Sequence, residues 1–134
     1  MGNRRQSRIF ALQALHLYET CKVDKEYALA GSFEGDHTES IRNFTKSLFF
    51  GVIDKQIEID DLLKKYAQNW DLNRMAIVDK NILRMATYEV LYNLDTPISV
   101  IIDEAIEIAK IYSTQDSGKF VNGILDKIKS QRKN

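Results

Sequence analysis

The stretch from Arg74 to Leu91 constrains this chain more than any other. Ile77, Val78, Ile82, Leu83, Met85, Ala86, Tyr88, Val90 and Leu91 recur at helical spacing and cover more than one face of the helix they imply. A helix apolar over so wide a surface must be contacted from several sides, so it belongs at the centre of a bundle. The flanking sequence supplies narrower stripes suited to surround it. A single proline and six glycines leave few breaks, and no run alternates as a strand would.

Taken in order, Ile9, Leu12, Ala14, Leu15 and Tyr18 predict an amphipathic helix over Asn3 to Thr20. A short helix near Lys25–Ala30 follows, and Gly31 to His37 reads as a surface loop. Thr38 or Ser40 caps a helix with the stripe Ile41, Phe44, Leu48, Phe49 and Val52. The next helix or bend begins at Asp54 and places Ile57, Leu62, Leu63 and Tyr66 on one face. Gln68 to Asn73 interrupts the pattern, with Trp70 expected to plug a gap between helices. The central helix ends near Asn93. Pro97 then sets the start of a helix carrying Val100, Ile101, Ala105, Ile108, Ala109 and Tyr112. Asp116 or Ser117 caps the last helix, whose stripe is Phe120, Val121, Ile124, Leu125 and Ile128 and whose basic end frays beyond Ile128. The expectation is an all-α bundle of about six or seven helices, folded as one domain over residues 1–134.

Several function classes drop out. Cys21 is the only cysteine, which excludes an intrachain disulfide and a cysteine metal cluster and suits a cytoplasmic protein. The longest apolar run, Leu48 to Ile53, is too short to span a membrane, and no apolar region follows the basic start as in a signal peptide. Gly118 and Gly123 do not form a phosphate-cradling motif, and His16 and Cys21 fall on different helix faces with no third residue to orient them. Asp103 with Glu107, and Asp60 with Asp61, offer too few converging oxygens for a hard metal; they read as a solvated acidic face supported by Lys110. No enzyme, cofactor or metal is expected.

The layout of charge carries more than its sum. Residues 1–18 hold Arg4, Arg5 and Arg8 without an acid, and residues 119–134 hold five basic groups against Asp126. With a net charge of zero, the ends at +3 and +4 leave −7 on the middle. Ends and middle therefore suit two different partners, or the basic ends serve only solubility. Arg4, Arg5 and Arg8 lie along one turn and its neighbour, able to follow a phosphate backbone or stack on bases. Cations at a helix N-terminus oppose its dipole, a cost that a bound polyanion offsets. At the last helix, Lys119 and the free amides of the first turn make a positive corner. If that helix lies beside the first, Lys119 and Phe120 join the arginine patch, as single-stranded RNA recognition requires. Phe120 stacks there or packs in the core. Gly123 costs about 1 kcal/mol in mid-helix, which a close approach by another backbone would explain, with Asn122 bonding across that contact or to a ligand.

Four segments together resemble one family. Arg4-Arg-Gln-Ser-Arg-Ile-Phe-Ala-Leu-Gln-Ala-Leu15, Val78-Asp-Lys-Asn-Ile-Leu-Arg-Met-Ala-Thr-Tyr-Glu-Val-Leu-Tyr92, Asp103-Glu-Ala-Ile-Glu-Ile-Ala-Lys110 and Asp116-Ser-Gly-Lys-Phe-Val-Asn-Gly-Ile-Leu-Asp126 resemble the bacterial NusB antitermination family. The similarity spans nearly the whole chain and is weakest over residues 21–40. It implies two packed three-helix subdomains. It also implies binding of boxA RNA in ribosomal RNA leader transcripts together with NusE, a small-subunit ribosomal protein, and assembly with NusA, NusG and RNA polymerase. By this resemblance RNA contacts fall on Arg4, Arg5 and Arg8 and on the tip holding Asp116, Lys119, Phe120 and Asn122, and Asp79 marks the NusE surface. The alternative is a protein-interaction scaffold or a homodimer that hides the arginine-rich face, with RNA binding secondary.

Overall fold

A computed structural model describes residues 3–33, 38–67 and 71–132. All regular secondary structure among the described residues is helical, with no strand among them, and the chain divides into two compact units, 1–54 and 55–134. The all-helical expectation holds. Trp70 and most of the expected loop, Glu34 to His37, lie outside the described residues.

The first unit contains α1 (Asn3–Cys21), α2 (Lys25–Ser32) and α3 (Glu39–Asp54). Lys22 adopts φ 53°, a left-handed conformation that stops α1 and is unfavourable for a side chain with a Cβ. Asp24 then caps α2 by accepting from the Tyr27 amide at 2.8 Å. Gly31 and Ser32, expected in the loop, belong to α2, because that cap starts a helix long enough to include them. Thr38 caps α3, its hydroxyl accepting from the Ile41 amide at 3.4 Å. The buried stripe of α3 is Ile41, Thr45, Leu48, Phe49 and Val52. Thr45 takes the place expected for Phe44, which lies half-buried at the edge. The α1–α3 register is fixed by two buried hydroxyls: Ser7 donates to the Ile41 carbonyl at 3.1 Å, and Thr45 donates to that carbonyl at 2.8 Å and reaches the Ser7 carbonyl at 3.4 Å.

The second unit contains α4 (Gln56–Tyr66), α5 (Ile77–Tyr92), α6 (Ile98–Tyr112) and α7 (Gln115–Ile128), one helix more than a three-helix subdomain. Helix α5 is buried nearly all round, as its apolar breadth predicts. The face of α4 is rotated from expectation. Ile59 and Leu63 point into the core and Ile57 is 82% exposed. Neighbouring isoleucines compete for one face, and the Asp60 carboxylate decides the register through paired bonds of 2.8 and 2.9 Å from Arg84 of α5. Asp60 is therefore half of a partly buried ion pair. Lys110 does support the acidic face of α6, 3.6 Å from Glu107. Pro97 precedes α6 as expected.

The C-terminal end does not fray at Ile128. It continues through a 3-10 turn, Lys129–Gln131, and Gln131 donates to the Tyr66 hydroxyl at 2.7 Å. Arg132 then donates to the carbonyls of Val90, Thr96, Glu89 and Asn93 at 2.8, 2.8, 3.1 and 3.0 Å. Glu89 and Val90 lie in the last turn of α5 and Asn93 caps it, where the helix dipole favours a cation. Among the described residues no helix is long and apolar enough to cross a membrane.

Candidate nucleic-acid interface

In the first unit the arginine-rich start of α1 has no acid in its first turn to balance it. The three arginines are not equivalent. Arg4 is exposed, Arg5 is half-buried and Arg8 is only 4% exposed. Arg4 and Arg8, four apart, share a helix face, and both lie over the ring of Phe44 in α3. Their guanidinium carbons stand 4.0 and 5.5 Å from its centroid. Each such contact is attractive by about 0.5–1 kcal/mol at an exposed site, which offsets the repulsion between like charges four apart. The stack orders Arg4 while leaving it at the surface. Reading the chain for periodicity missed Phe44 because it sits one residue from the true stripe. The signal was Thr45, whose spacing from Ile41, Leu48 and Val52 fits the stripe better.

In the second unit the start of α7 is capped by Thr114, whose hydroxyl accepts from the Ser117 amide at 3.0 Å. This corrects the expected cap, Asp116 or Ser117. Asp116 lies in the first turn, exposed, and Ser117 is turned inward. The buried face is Ser117, Gly118, Val121, Ile124, Leu125 and Ile128. Phe120 lies beside that face, half-buried, with Asp116 and the exposed Lys119 on the same strip. Asn122 is also exposed. It projects about 160° from Phe120 but only about 60° from Lys119, so it flanks the lysine side of the strip.

Gly123 does not mark a close approach, since a Cβ there would meet nothing within 4 Å. The close approach is at Gly118. A Cβ there would lie 3.2 and 3.3 Å from Lys110 side-chain carbons and 3.4 Å from Ile106, so glycine lets α7 close on α6. Ser117 ties the same turn to α5 by donating to Asp79 Oδ2 at 3.0 Å. Asp79 is 8% exposed, and its Oδ1 is buried without a hydrogen-bond partner. The residue picked as a partner contact therefore also supports the α7 tip from beneath. Among the described residues no group of three or more His, Cys, Asp or Glu is placed to hold a metal ion.

Comparison with known proteins points to one family. The NusB family model matches residues 5–130. The transcription antitermination protein NusB of Elusimicrobium minutum is 43% identical over 139 residues, covering 100% of this chain and 98% of that protein. A solved structure of Thermotoga maritima NusB superposes with a TM-score of 0.90 at 42% identity, covering 96% of this chain and 92% of that one. A structure of antitermination factors NusB and NusE in complex with dsRNA shares the fold, with a TM-score of 0.88 at 21% identity, and covers 96% of this chain and 97% of the matched one. With a match that begins within the arginine-rich turn and continues past the α7 tip, the chain belongs to the NusB family.

Proposed function

We propose that this protein is a non-catalytic, cytoplasmic transcription antitermination factor. It binds the boxA element of ribosomal RNA leader transcripts as a single strand, together with NusE, and the pair joins NusA, NusG and RNA polymerase. The observation that carries this reading is the family match over residues 5–130. The neighbour bound to NusE and double-stranded RNA supports both partner classes by analogy of fold. RNA contacts are assigned to Arg4, Arg5 and Arg8 in the first unit and to Asp116, Lys119, Phe120 and Asn122 in the second. Arg8, being buried, acts mainly through its place beside Phe44. Asp79 is assigned to the NusE surface, where a donor from a basic partner would satisfy its buried Oδ1.

Titrating a labelled single-stranded boxA oligonucleotide, with and without NusE, tests the reading. Binding is weak alone, tightens with NusE, and weakens steeply with salt. Equal affinity for a scrambled strand with NusE present removes the boxA assignment, and tighter binding of a duplex removes the single-strand one. Sedimentation that shows a dimer dissociated by RNA favours the homodimer as a storage form.

A further inference from the structure

We propose that Phe44 is a positioning residue of the RNA surface: its ring holds the Arg4 guanidinium outward for a single strand. The inference rests on the RNA reading above and deepens it. Phe44 comes from a different helix than the arginines, so its position depends on the register of α3 against α1. That register is set by Ser7 and Thr45, both fully buried. Ser7 lies between Arg4 and Arg8 in sequence, and Thr45 is adjacent to Phe44. The Ser7 bond to the Ile41 carbonyl and the reach of Thr45 to the Ser7 carbonyl cross the helix pair and place the ring opposite the two guanidinium groups.

An exposed arginine alone samples many rotamers and must lose that freedom when it binds. At 4.0 Å from the Phe44 centroid, Arg4 is ordered in advance. A planar guanidinium on a ring keeps its other face for a nucleobase and its edge for a phosphate. Arg8, deeper and 5.5 Å from the same ring, adds positive charge beneath. The buried stripe position beside Phe44 belongs to Thr45, which leaves the ring half-buried at the edge of α3.

The test is a double-mutant cycle on the full chain, measured against a labelled single-stranded boxA oligonucleotide over a range of salt. Arg4→Ala and Phe44→Leu each lower affinity about fivefold. The double variant loses little more than the larger single loss, because both changes remove one arrangement. Phe44 carries no charge, yet Phe44→Leu lowers the salt slope by up to about 0.7, the share of one phosphate contact on a single strand. Phe44→Tyr restores both affinity and slope, and this variant keeps the test decisive if Phe44→Leu lowers the melting temperature. Arg42→Ala is the control. Arg42 lies 5.2 Å over Phe33 and projects about 160° from Phe44 around α3, so its loss leaves affinity unchanged. If Arg4→Ala weakens binding while Phe44→Leu changes neither affinity nor slope, the inference fails and the RNA reading stands. If Arg4→Ala changes nothing, both fail at this surface.

Discussion

The two basic ends of the chain carry similar charge and use it differently. At the start of α1, Arg4 is held at the surface on a ring from α3. At the other end, Arg132 points inward and donates to four backbone carbonyls, and Lys129 pairs with Asp126 at 2.7 Å. A guanidinium that already satisfies helix-end carbonyls offers little to a phosphate. Charge counting cannot separate these fates; only the partner of each group does. In the second unit the proposed RNA contact is therefore the α7 strip of Asp116, Lys119 and Phe120, while Arg132 closes the fold.

The contrast can be broken first at Arg132. Arg132→Ala should destabilise the second unit by about 2–4 kcal/mol, since it strips a charged donor from several carbonyls at once. Chemical denaturation checks this, and RNA affinity measured where the variant is folded should be unchanged. Arg132→Lys recovers only part, because an ammonium cannot reproduce the planar fork. If the alanine variant instead weakens RNA binding without loss of stability, the inward role is wrong.

Next comes Ser117. Ser117→Ala removes the donor to Asp79 Oδ2 and leaves a carboxylate that is 8% exposed with neither oxygen bonded. A loss of about 1–3 kcal/mol is expected in thermal or denaturant melts. Lys119→Ala should do the reverse of Arg132→Ala. Being exposed, it leaves stability within about 0.5 kcal/mol and reduces RNA affinity in filter binding or anisotropy. The smallest effect is at Gly123. Gly123→Ala should stabilise by about 0.5–1 kcal/mol, because a methyl there meets nothing and the helix gains propensity. Gly118→Ala should not share that gain, since its Cβ meets Lys110 at 3.2 Å.

Much of the fold was legible in the residues themselves. The breadth of apolar residues in Arg74 to Leu91 identified α5 as central, Pro97 placed the start of α6, and Asp103, Glu107 and Lys110 read correctly as a solvated face. Facing was harder. A one-residue step turns a helix by about 100° and a two-residue step by about 200°, so one misplaced position, Phe44 for Thr45 or Ile57 for Ile59, turns the expected face away from the core. Those choices are made by partners distant in sequence, such as the Arg84 pair on Asp60. Arg132 is the extreme case. Its acceptors lie 36 to 43 residues away, and no local pattern announces them. The candidate site was legible as residue types, arginines before one stripe and lysine with phenylalanine at the start of another. Which arginine is exposed and which ring holds it required the α1–α3 register.

Under the proposed function, Arg4 of the first unit and Lys119 of the second each take one phosphate contact. The salt dependence of single-stranded boxA binding by Arg4→Ala, Lys119→Ala and the double variant tests it most directly. Each single change should lower the slope by about 0.7 and the double change by about 1.4. A double variant whose slope equals that of the wild type, or of either single variant, would contradict that assignment.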